Sequence, residues 1–385
     1  KMQSKDKKRI LMLNYEFPPL GGGGGVASKK LAEGFVKQGY EVDYVTTWFN
    51  GLENFEKVNG INVYRIKVIG RKELATASMI SLLSFPVLAY NKTKALCKKN
   101  NYDFINTQFA IPTGPLGVWI SKKFRLKNIL SLHGGDIFDP TKKNSPHNKW
   151  YLRKVVRWVL NNSNEIVAQS SNTRRNTFEI YKPNKEIKII PLPYEPIKFK
   201  QVSRKQLGLK EDLIYLISVG RLVERKGFDF LIKAVAELNN KKVHALIMGD
   251  GPEKDNLIQL SENLNIKDQI HLLGFQTEEK KFQYLDNSDI YILSSIHEGF
   301  GIVLQEAMQV GLPIIATNNG GQVDLIQEGK NGFLVDFGDA KQLADKVTYL
   351  IQNKETIQKM STENKKGIKI YETKNIIKEY MGVLK

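Results

Sequence analysis

The segment 297–307 combines two carboxylates with a glycine-rich turn, after a strand-like run at 289–293. We expect a helix to begin near Gly301. The first amide groups of that helix lack intrahelical partners and suit a diphosphate. The backbone binding site predicted from this turn consists of Phe300, Gly301, Ile302, Val303 and Leu304.

The two carboxylates of this segment are suited to hydroxyl groups of a ligand. Glu298 precedes the predicted helix and Glu306 lies inside it. Carboxylate oxygens accept hydrogen bonds from sugar diols, so one can face a sugar and the other a ribose. The alternatives are an ordinary capping carboxylate for Glu298 and a solvated helix residue for Glu306.

Two cations follow another predicted strand, 213–219. Arg221 and Lys226 are five residues apart across a strand-to-helix turn. A guanidinium fork and an ammonium group can hold one anion from two sides. The alternative is a solvated basic loop in which Glu224 pairs with one of the two cations.

Further turns follow strands on the same edge. Gly249 opens a Gly-Asp-Gly-Pro turn, and Gly274 precedes Phe275. These turns add Gly249 and Phe275 to the candidate ligand-binding residues at this edge.

In the first half of the chain, five glycines, Gly21–Gly25, separate a strand from a helix that we expect to open at Val26. Glycine lets the backbone approach a ligand closely, and Gly23 and Gly24 are the candidates; a loop without a ligand is the alternative. The segment 46–48 has no acidic residue at the end of the second strand, which argues against a dehydrogenase.

A histidine, His133, ends the predicted strand 128–132 and precedes two glycines. Ligands of open α/β sheets bind beyond the carboxyl ends of strands. We therefore expect His133 to face a cleft, with a core-packed histidine as the alternative.

Strand-like runs alternate with helical patterns along nearly the whole chain, which predicts parallel sheets covered by helices. Three prolines in 191–196 interrupt the alternation and indicate a linker. The predicted fold class is α/β, with two doubly wound Rossmann-like domains, 1–192 and 197–370, facing a central cleft. The last segment, 371–385, is predicted to pack back on the first domain. The predicted strands are 9–14, 41–47, 61–66, 103–107, 128–132, 165–169, 187–190, 213–219, 243–248, 269–273, 289–293, 313–316 and 333–335.

Charge is distributed unevenly. Residues 1–196 hold 32 Lys and Arg against 15 Asp and Glu, a net of +17, whereas residues 197–385 hold 26 against 25, a net of +1. Such a basic half attracts anionic partners: nucleic acid, an acidic membrane face or a phosphorylated acceptor. The alternative, a lysine-rich composition without a partner, should affect both halves alike.

These motifs, in this order, resemble glycosyltransferase family 4, whose members are retaining enzymes of the GT-B fold. The resemblance covers essentially the whole chain. It rests on the glycine-rich loop, His133, Gly220-Arg221 with Lys226-Gly227, the turn 249–252, and above all the pair Glu298 and Glu306 around Gly299-Phe300-Gly301.

The resemblance implies roles for these residues. Arg221 and Lys226 match the clamp on the donor diphosphate, and Glu306 matches the carboxylate that holds the ribose. Glu298 matches the carboxylate near the transferred sugar. His133 matches a first-domain histidine close to the reacting carbon. The catalytic set is therefore predicted as His133, Glu298, Arg221 and Lys226.

The implied reaction transfers a hexose-type sugar from a nucleotide-diphosphate sugar to a hydroxyl group, with retention of configuration. We expect a UDP-sugar rather than a GDP-sugar. We expect no cofactor and no metal, because no Asp-x-Asp motif stands in a cleft position. The acceptor is expected to be a glycan, lipid-linked or phosphorylated, in cell-envelope polysaccharide synthesis.

A single cysteine and the lack of an apolar stretch of about 20 residues predict a cytoplasmic protein. We expect it to be peripheral on an anionic inner membrane face. One candidate surface is the amphipathic helix 149–160, whose apolar face can alternatively pack on the core. The other is 78–90 with the lysines that follow it.

Two other functions fit part of the pattern. A GT-B nucleotide-sugar epimerase would cleave the same bond without transferring the sugar. A basic nucleic-acid-binding protein would use the positive half, but no nucleic-acid motif is present, so we expect no nucleic-acid partner.

Overall fold

The computed structural model of the chain describes residues 8–74 and 77–384. Two compact units are present. The first comprises the described residues up to Glu195 together with those from Tyr371 onward, and the second comprises Pro196–Ile370. The boundary between them falls within the proline-rich segment 191–196.

The first unit contains an eight-stranded sheet with helices on both faces. Its strand order is β3-β4-β2-β1-β5-β6-β7-β8, and only β3 is antiparallel to its neighbour. The elements are β1 Arg9–Leu13, α1 Gly23–Lys37, β2 Glu41–Thr47, β3 Phe55–Val58, β4 Ile61–Ile66, α2 Met79–Lys99, β5 Phe104–Gln108, α3 Gly114–Phe124, β6 Asn128–Leu132, α4 Trp150–Asn162, β7 Glu165–Ala168, α5 Ser171–Tyr181 and β8 Lys188–Ile189.

The second unit contains a fully parallel six-stranded sheet, in the order β11-β10-β9-β12-β13-β14. A large apolar core joins the sheet to its helices through side chains such as Leu216, Ile247 and Ile292. The elements are β9 Ile214–Val219, α6 Phe228–Leu238, β10 Val243–Met248, α7 Lys254–Asn263, β11 Ile270–Gly274, α8 Glu278–Asp286, β12 Ile290–Leu293, α9 Ile302–Val310, β13 Ile314–Thr317, β14 Gly332–Val335, α10 Ala340–Gln352 and α11 Lys354–Gly367.

The sheets explain why the strand prediction succeeded. Strands of a parallel sheet are buried on both faces and read as continuous apolar runs, as β1 and β12 do. The exception is β3, which the sequence analysis missed. It lies at the sheet edge with alternate residues exposed, so its pattern, Phe-Glu-Lys-Val, carries little apolar signal.

The start of one helix differs from expectation. Helix α1 begins at Gly23 rather than near Val26, so Gly23 and Gly24 form its first turn instead of a loop. Glycine is a poor helix former, which concealed this start. Helix α2 continues through Pro86, which is buried within it.

The final helix, α12 Thr373–Val383, belongs to the first unit and packs on α1. Ile376, Ile377 and Tyr380 enter the same apolar cluster as Phe35. The two helices approach closely at Gly34, where an added Cβ would lie 2.3 Å from the Thr373 Cγ2 atom.

This close approach predicts opposite effects for two glycine substitutions. Gly34→Ala should lower the free energy of unfolding by about 1–3 kcal/mol, because the new methyl group overpacks the α1–α12 contact. Gly382→Ala, in α12, meets no atom within 4 Å and should leave stability unchanged or raise it by up to about 1 kcal/mol. Urea unfolding measures both; equal effects would contradict the packing of α12 on α1.

Candidate functional site

Each sheet has a point at which the strand order reverses, and crevices form beyond the carboxyl ends of strands at such points. In the second unit the reversal lies between β9 and β12. The turns that follow these two strands carry Lys226 and Glu298. The sequence prediction therefore placed its main candidates at the topologically favoured position.

Glu298 is the centre of this site. Its carboxylate is buried and accepts a hydrogen bond from Lys226 Nζ at 2.5 Å and from Ser295 Oγ at 2.7 Å. Arg225 lies at 3.5 Å from the other oxygen. Burial alone would raise the pKa of Glu298, but the neighbouring Lys226 and Arg225 charges lower it below its ordinary value.

Backbone contacts fix the turns that carry these charges. The Ile296 N–H donates to the Arg225 carbonyl, and the Arg225 guanidinium donates to the His297 carbonyl at 2.9 Å. Gly227 has φ +60°, and an added Cβ would lie 2.1 Å from the Ser294 carbonyl oxygen. The turn after β9 is therefore held against the turn after β12 by hydrogen bonds and close backbone packing.

The acidic partner of Lys226 is Glu298, not Glu224 as in the solvated-loop alternative. Arg225 and Ser295 were not predicted from the sequence. Both lie within three residues of a predicted site residue, but neither type is distinctive in a polar turn, and only the folded structure shows which side chains point inward.

Glu306 lies in the second turn of α9 and is also buried. One of its oxygens accepts from Lys281 Nζ at 2.6 Å, whereas Oε2 is buried without a hydrogen-bond partner among the described residues. Lys281, on α8, was not predicted, because its position near α9 arises only from tertiary packing.

Both carboxylates lie near one buried tyrosine. The pKa of Tyr291 is raised well above its ordinary value, first by burial and then by the negative charges of Glu306 and Glu298. Glu298 and Glu306 therefore both lie close enough to Tyr291 to affect its ionisation.

The N-terminus of α9 differs in detail from the prediction. Gly301 caps the helix with φ +108°, and the Leu304 N–H already donates to the Gly301 carbonyl at 2.9 Å. Leu304 thus offers no free amide, which corrects the expectation for that residue. The first helical amides are those of Ile302 and Val303.

The remaining second-unit candidates lie on neighbouring turns. Arg221 is exposed, and Phe275 is 85% exposed at the end of β11. At Gly249 an added Cβ would lie 1.9 Å from the Gly220 carbonyl oxygen. The absence of a side chain at Gly249 is therefore explained by the close approach of two turns.

In the first unit the strand order reverses between β1 and β5. Phe109 follows β5 in the left-handed region, with φ +73°. Its ring stacks on His133 at 4.3 Å between centroids, and an added Cβ on Gly24 would lie 2.4 Å from the ring. Phe109, which was not predicted from the sequence, therefore packs between Gly24 and His133.

His133 is almost fully buried at the end of β6. Its Nε2 lies 2.6 Å from Gln108 Oε1, and its backbone N–H donates to Asp136 at 2.9 Å. The other ring nitrogen, Nδ1, has no hydrogen-bond partner among the described residues. Burial lowers the pKa of His133 to about 4, so the imidazole is neutral at physiological pH.

A further carboxylate, Glu16, lies against the glycine-rich turn. It follows β1 and accepts a hydrogen bond from the Gly22 N–H at 3.1 Å, and burial raises its pKa. An added Cβ at Gly21, where φ is +90°, would meet this carboxylate at 2.5 Å or less. Glycine at position 21 therefore makes room for Glu16, a residue that the sequence analysis did not single out.

Comparison with known proteins identifies the family of the chain. Residues 21–196 match the family described as Glycosyltransferase Family 4, and residues 199–367 match Glycosyl transferases group 1. The chain is 28% identical to N-acetyl-alpha-D-glucosaminyl L-malate synthase of Bacillus anthracis, over 94% of this chain and 93% of that protein.

Solved structures show the same fold. Sucrose-phosphate synthase from Thermosynechococcus elongatus aligns with a TM-score of 0.82 and 20% identity, covering 98% of each chain. Anabaena HepE, solved in complex with UDP, aligns with a TM-score of 0.78 and 20% identity, covering 98% of this chain and 99% of that one. The chain therefore belongs to glycosyltransferase family 4 and is a glycosyltransferase with the GT-B fold.

Proposed function

We propose that the protein transfers a hexose-type sugar from a nucleotide-diphosphate sugar to an acceptor hydroxyl, with retention of configuration and without a metal ion. The observation that carries this proposal is the cluster at the β9–β12 reversal. There, a buried carboxylate, Glu298, and two cations, Lys226 and Arg225, lie beside the N-terminus of α9.

The cations and helix N-terminus suit a leaving diphosphate. Arg221 is exposed on the turn after β9, and Lys226 lies further along the same turn. In the proposed complex both neutralise charge that develops as the bond between the sugar and the diphosphate breaks. Lys226 then divides its hydrogen bonds between the phosphate and Glu298, which also keeps Arg225 and Ser295 as partners.

Glu306 is suited to the ribose. Lys281 holds one carboxylate oxygen, and this contact leaves Oε2 available to accept a hydrogen bond from a hydroxyl group. A UDP-sugar is the donor that we favour, and the binding of UDP by Anabaena HepE, a protein of the same fold, supports this choice.

The proposed chemistry is a front-face displacement. The acceptor oxygen bonds to the anomeric carbon on the face from which the diphosphate departs, and the acceptor proton passes to the departing phosphate oxygen. Neutral His133 cannot supply a positive charge. We therefore assign it a hydrogen-bonding role toward the donor sugar rather than the role of a cationic acid.

The acceptor that we propose is a lipid-linked or phosphorylated glycan precursor of the cell envelope, handled at the inner membrane face. The net charge of +17 in residues 1–196 supports an anionic acceptor. An epimerase would instead release an altered free sugar, so equal amounts of nucleoside diphosphate and glycosylated acceptor distinguish transfer from epimerisation.

The donor base and the role of Glu306 can be tested together. A thermal-shift panel of UDP-, GDP- and ADP-sugars should show the largest rise in melting temperature with a UDP-sugar, because ligands that bind only the folded state stabilise it. Glu306→Gln should weaken the binding of that UDP-sugar by roughly tenfold to a hundredfold, which is the range for the loss of a hydrogen bond to a charged group. Glu262→Gln, at an exposed ion pair, is the matched control. Equal shifts for all nucleotides would contradict the donor assignment.

Arg221 provides a test of leaving-group stabilisation. Because Arg221 is exposed, Arg221→Gln should leave the melting temperature unchanged while lowering kcat by about a hundredfold, the scale for losing one transition-state donor. Lys210→Gln, an exposed cation of the same unit, should retain full activity. A change in KM alone, with kcat intact, would exclude the proposed role.

The buried neutral histidine makes stability depend on pH. The pKa of His133 is about 4 in the folded chain and about 6.5 when unfolded. The unfolded chain therefore takes up a proton first as pH falls. Lowering the pH from 7 to 5 should therefore reduce the free energy of unfolding by about 2 kcal/mol through this histidine.

Comparison with His133→Gln isolates this effect. Burial raises the pKa of Asp136 to about 6, so protonation of Asp136 stabilises the folded state of both proteins as pH falls. In the wild type this gain opposes the loss caused by His133. Urea unfolding at the two pH values should therefore show a smaller loss in His133→Gln than in the wild type. Identical losses would show that His133 is solvated and charged.

A further inference from the structure

Helix α2 has an apolar outer face. Ile80, Leu83 and Val87 are 63%, 56% and 62% exposed. Their spacing of three and seven residues places them on one side of the helix. The opposite side, with Phe85 and Ala89, is buried in the first unit.

The same outer face becomes basic toward the end of the helix. Lys94 and Lys98 follow Val87 by seven and eleven residues, which keeps them on the side of the apolar row. Helix α2 contains no acidic residue. Within residues 8–74 and 77–384, no α2 lysine has an ion-pair partner.

Helix α3 extends this surface. Trp119 is exposed and packs edge-on against Tyr90 of α2 at 6.3 Å between centroids. Val87, Tyr90 and Trp119 line an open groove together with Lys122 and Lys123. Tryptophan and tyrosine beside lysines are the side chains enriched where proteins meet membrane interfaces.

The alternative surface, on α4, has most of its apolar face in the core, although Tyr151 is exposed. Leu152, Val156 and Val159 are buried, so the amphipathic pattern of 149–160 is explained by packing. Its exposed Trp158 instead lies near Lys122 of α3, at 6.0 Å from ring centroid to Nζ. The surface defined by the exposed side chains of α2 and α3 therefore continues onto the edge of α4.

The charge around this surface is strongly positive. Residues 77–135 contain eight Lys and Arg against one acidic residue, a net of +7. Among the described residues, no helix is sufficiently long and apolar to span a bilayer. Contact with a membrane through this segment would thus be made at the surface.

We propose that the outer face of α2 and α3 binds an anionic lipid bilayer. Ile80, Leu83 and Val87 enter the boundary between headgroups and acyl chains, while Lys94 and Lys98 contact the headgroups. The bilayer is proposed as the partner on the basis of charge complementarity, because an apolar row beside unpaired lysines matches an anionic lipid surface.

The N-terminal end of α2, where this surface begins, lies near the first-unit candidate site. The Gly21 N–H donates to the Leu74 carbonyl at 3.0 Å, and Tyr15, just beyond β1, bonds Ser81 of α2 at 2.8 Å between oxygens. If the proposed function holds, a lipid-linked acceptor would meet the protein beside the glycine-rich turn. Bilayer binding itself does not depend on that function.

Sedimentation with vesicles tests the surface. Wild-type protein should pellet with phosphatidylglycerol–phosphatidylcholine vesicles, less so at high salt, and weakly with phosphatidylcholine alone. The double substitutions Ile80→Ser with Val87→Ser and Lys94→Gln with Lys98→Gln should each weaken binding by about tenfold or more. Ile370→Ser, 61% exposed in the second unit, should bind as the wild type does.

Two results would overturn the proposal: no pelleting of the wild type with anionic vesicles, or unchanged pelleting of both double variants. Melting temperatures without ligand show that each variant is folded. The thermal shift with the UDP-sugar is measured on the same samples. A variant that loses vesicle binding but keeps the rise in melting temperature with the UDP-sugar shows that the membrane surface is separate from donor binding. If the UDP-sugar does not raise the melting temperature of the wild type, that result counts only against the proposed function.

Discussion

The buried carboxylate of Glu298 is the constraint on which the candidate site depends. A buried charge is strongly destabilising unless it is paired and hydrogen-bonded, and here Lys226, Arg225 and Ser295 supply these contacts. Because these partners come from the turns after β9 and β12, satisfying one charge also fixes two turns. A diphosphate that binds Lys226 must leave Glu298 with enough partners to remain ionised, and Arg225 and Ser295 meet that requirement.

Several glycines allow the turns around this buried carboxylate to pack closely against one another. At Gly227, Gly249 and Gly320 an added Cβ would come within 2.6 Å of another turn's backbone oxygen. Gly320 stands against the Glu298 backbone itself, and the Gly321 N–H donates to the Glu298 carbonyl at 2.7 Å. Gly249, which the sequence predicts as a ligand contact, therefore also brings strand-end turns together, as Gly227 and Gly320 do.

The sequence was sufficient to predict what depends on local pattern. Buried parallel strands read as apolar runs, and the turn around Glu298 carries its own signature. It could not predict partners that tertiary packing supplies: Lys281 lies 25 residues from Glu306, and Gln108 lies 25 residues from His133. Nor could it predict the start of α1, because five glycines give no helical signal and only packing against Glu16 and Phe109 selects the conformation.

The net positive charge of the first unit does not come from its candidate site residues. His133 is neutral because it is buried, and the glycine-rich turn contacts a carboxylate, Glu16, rather than a lysine. Six lysines of the first unit lie instead on α2 and α3: Lys92, Lys94, Lys98, Lys99, Lys122 and Lys123. In the second unit, cations of the candidate site are paired with the buried carboxylates of Glu298 and Glu306. The lysines of α2 and α3 have no ion-pair partner among the described residues of the first unit and create a surface field. Net charge therefore indicates a basic surface but does not locate the candidate site residues.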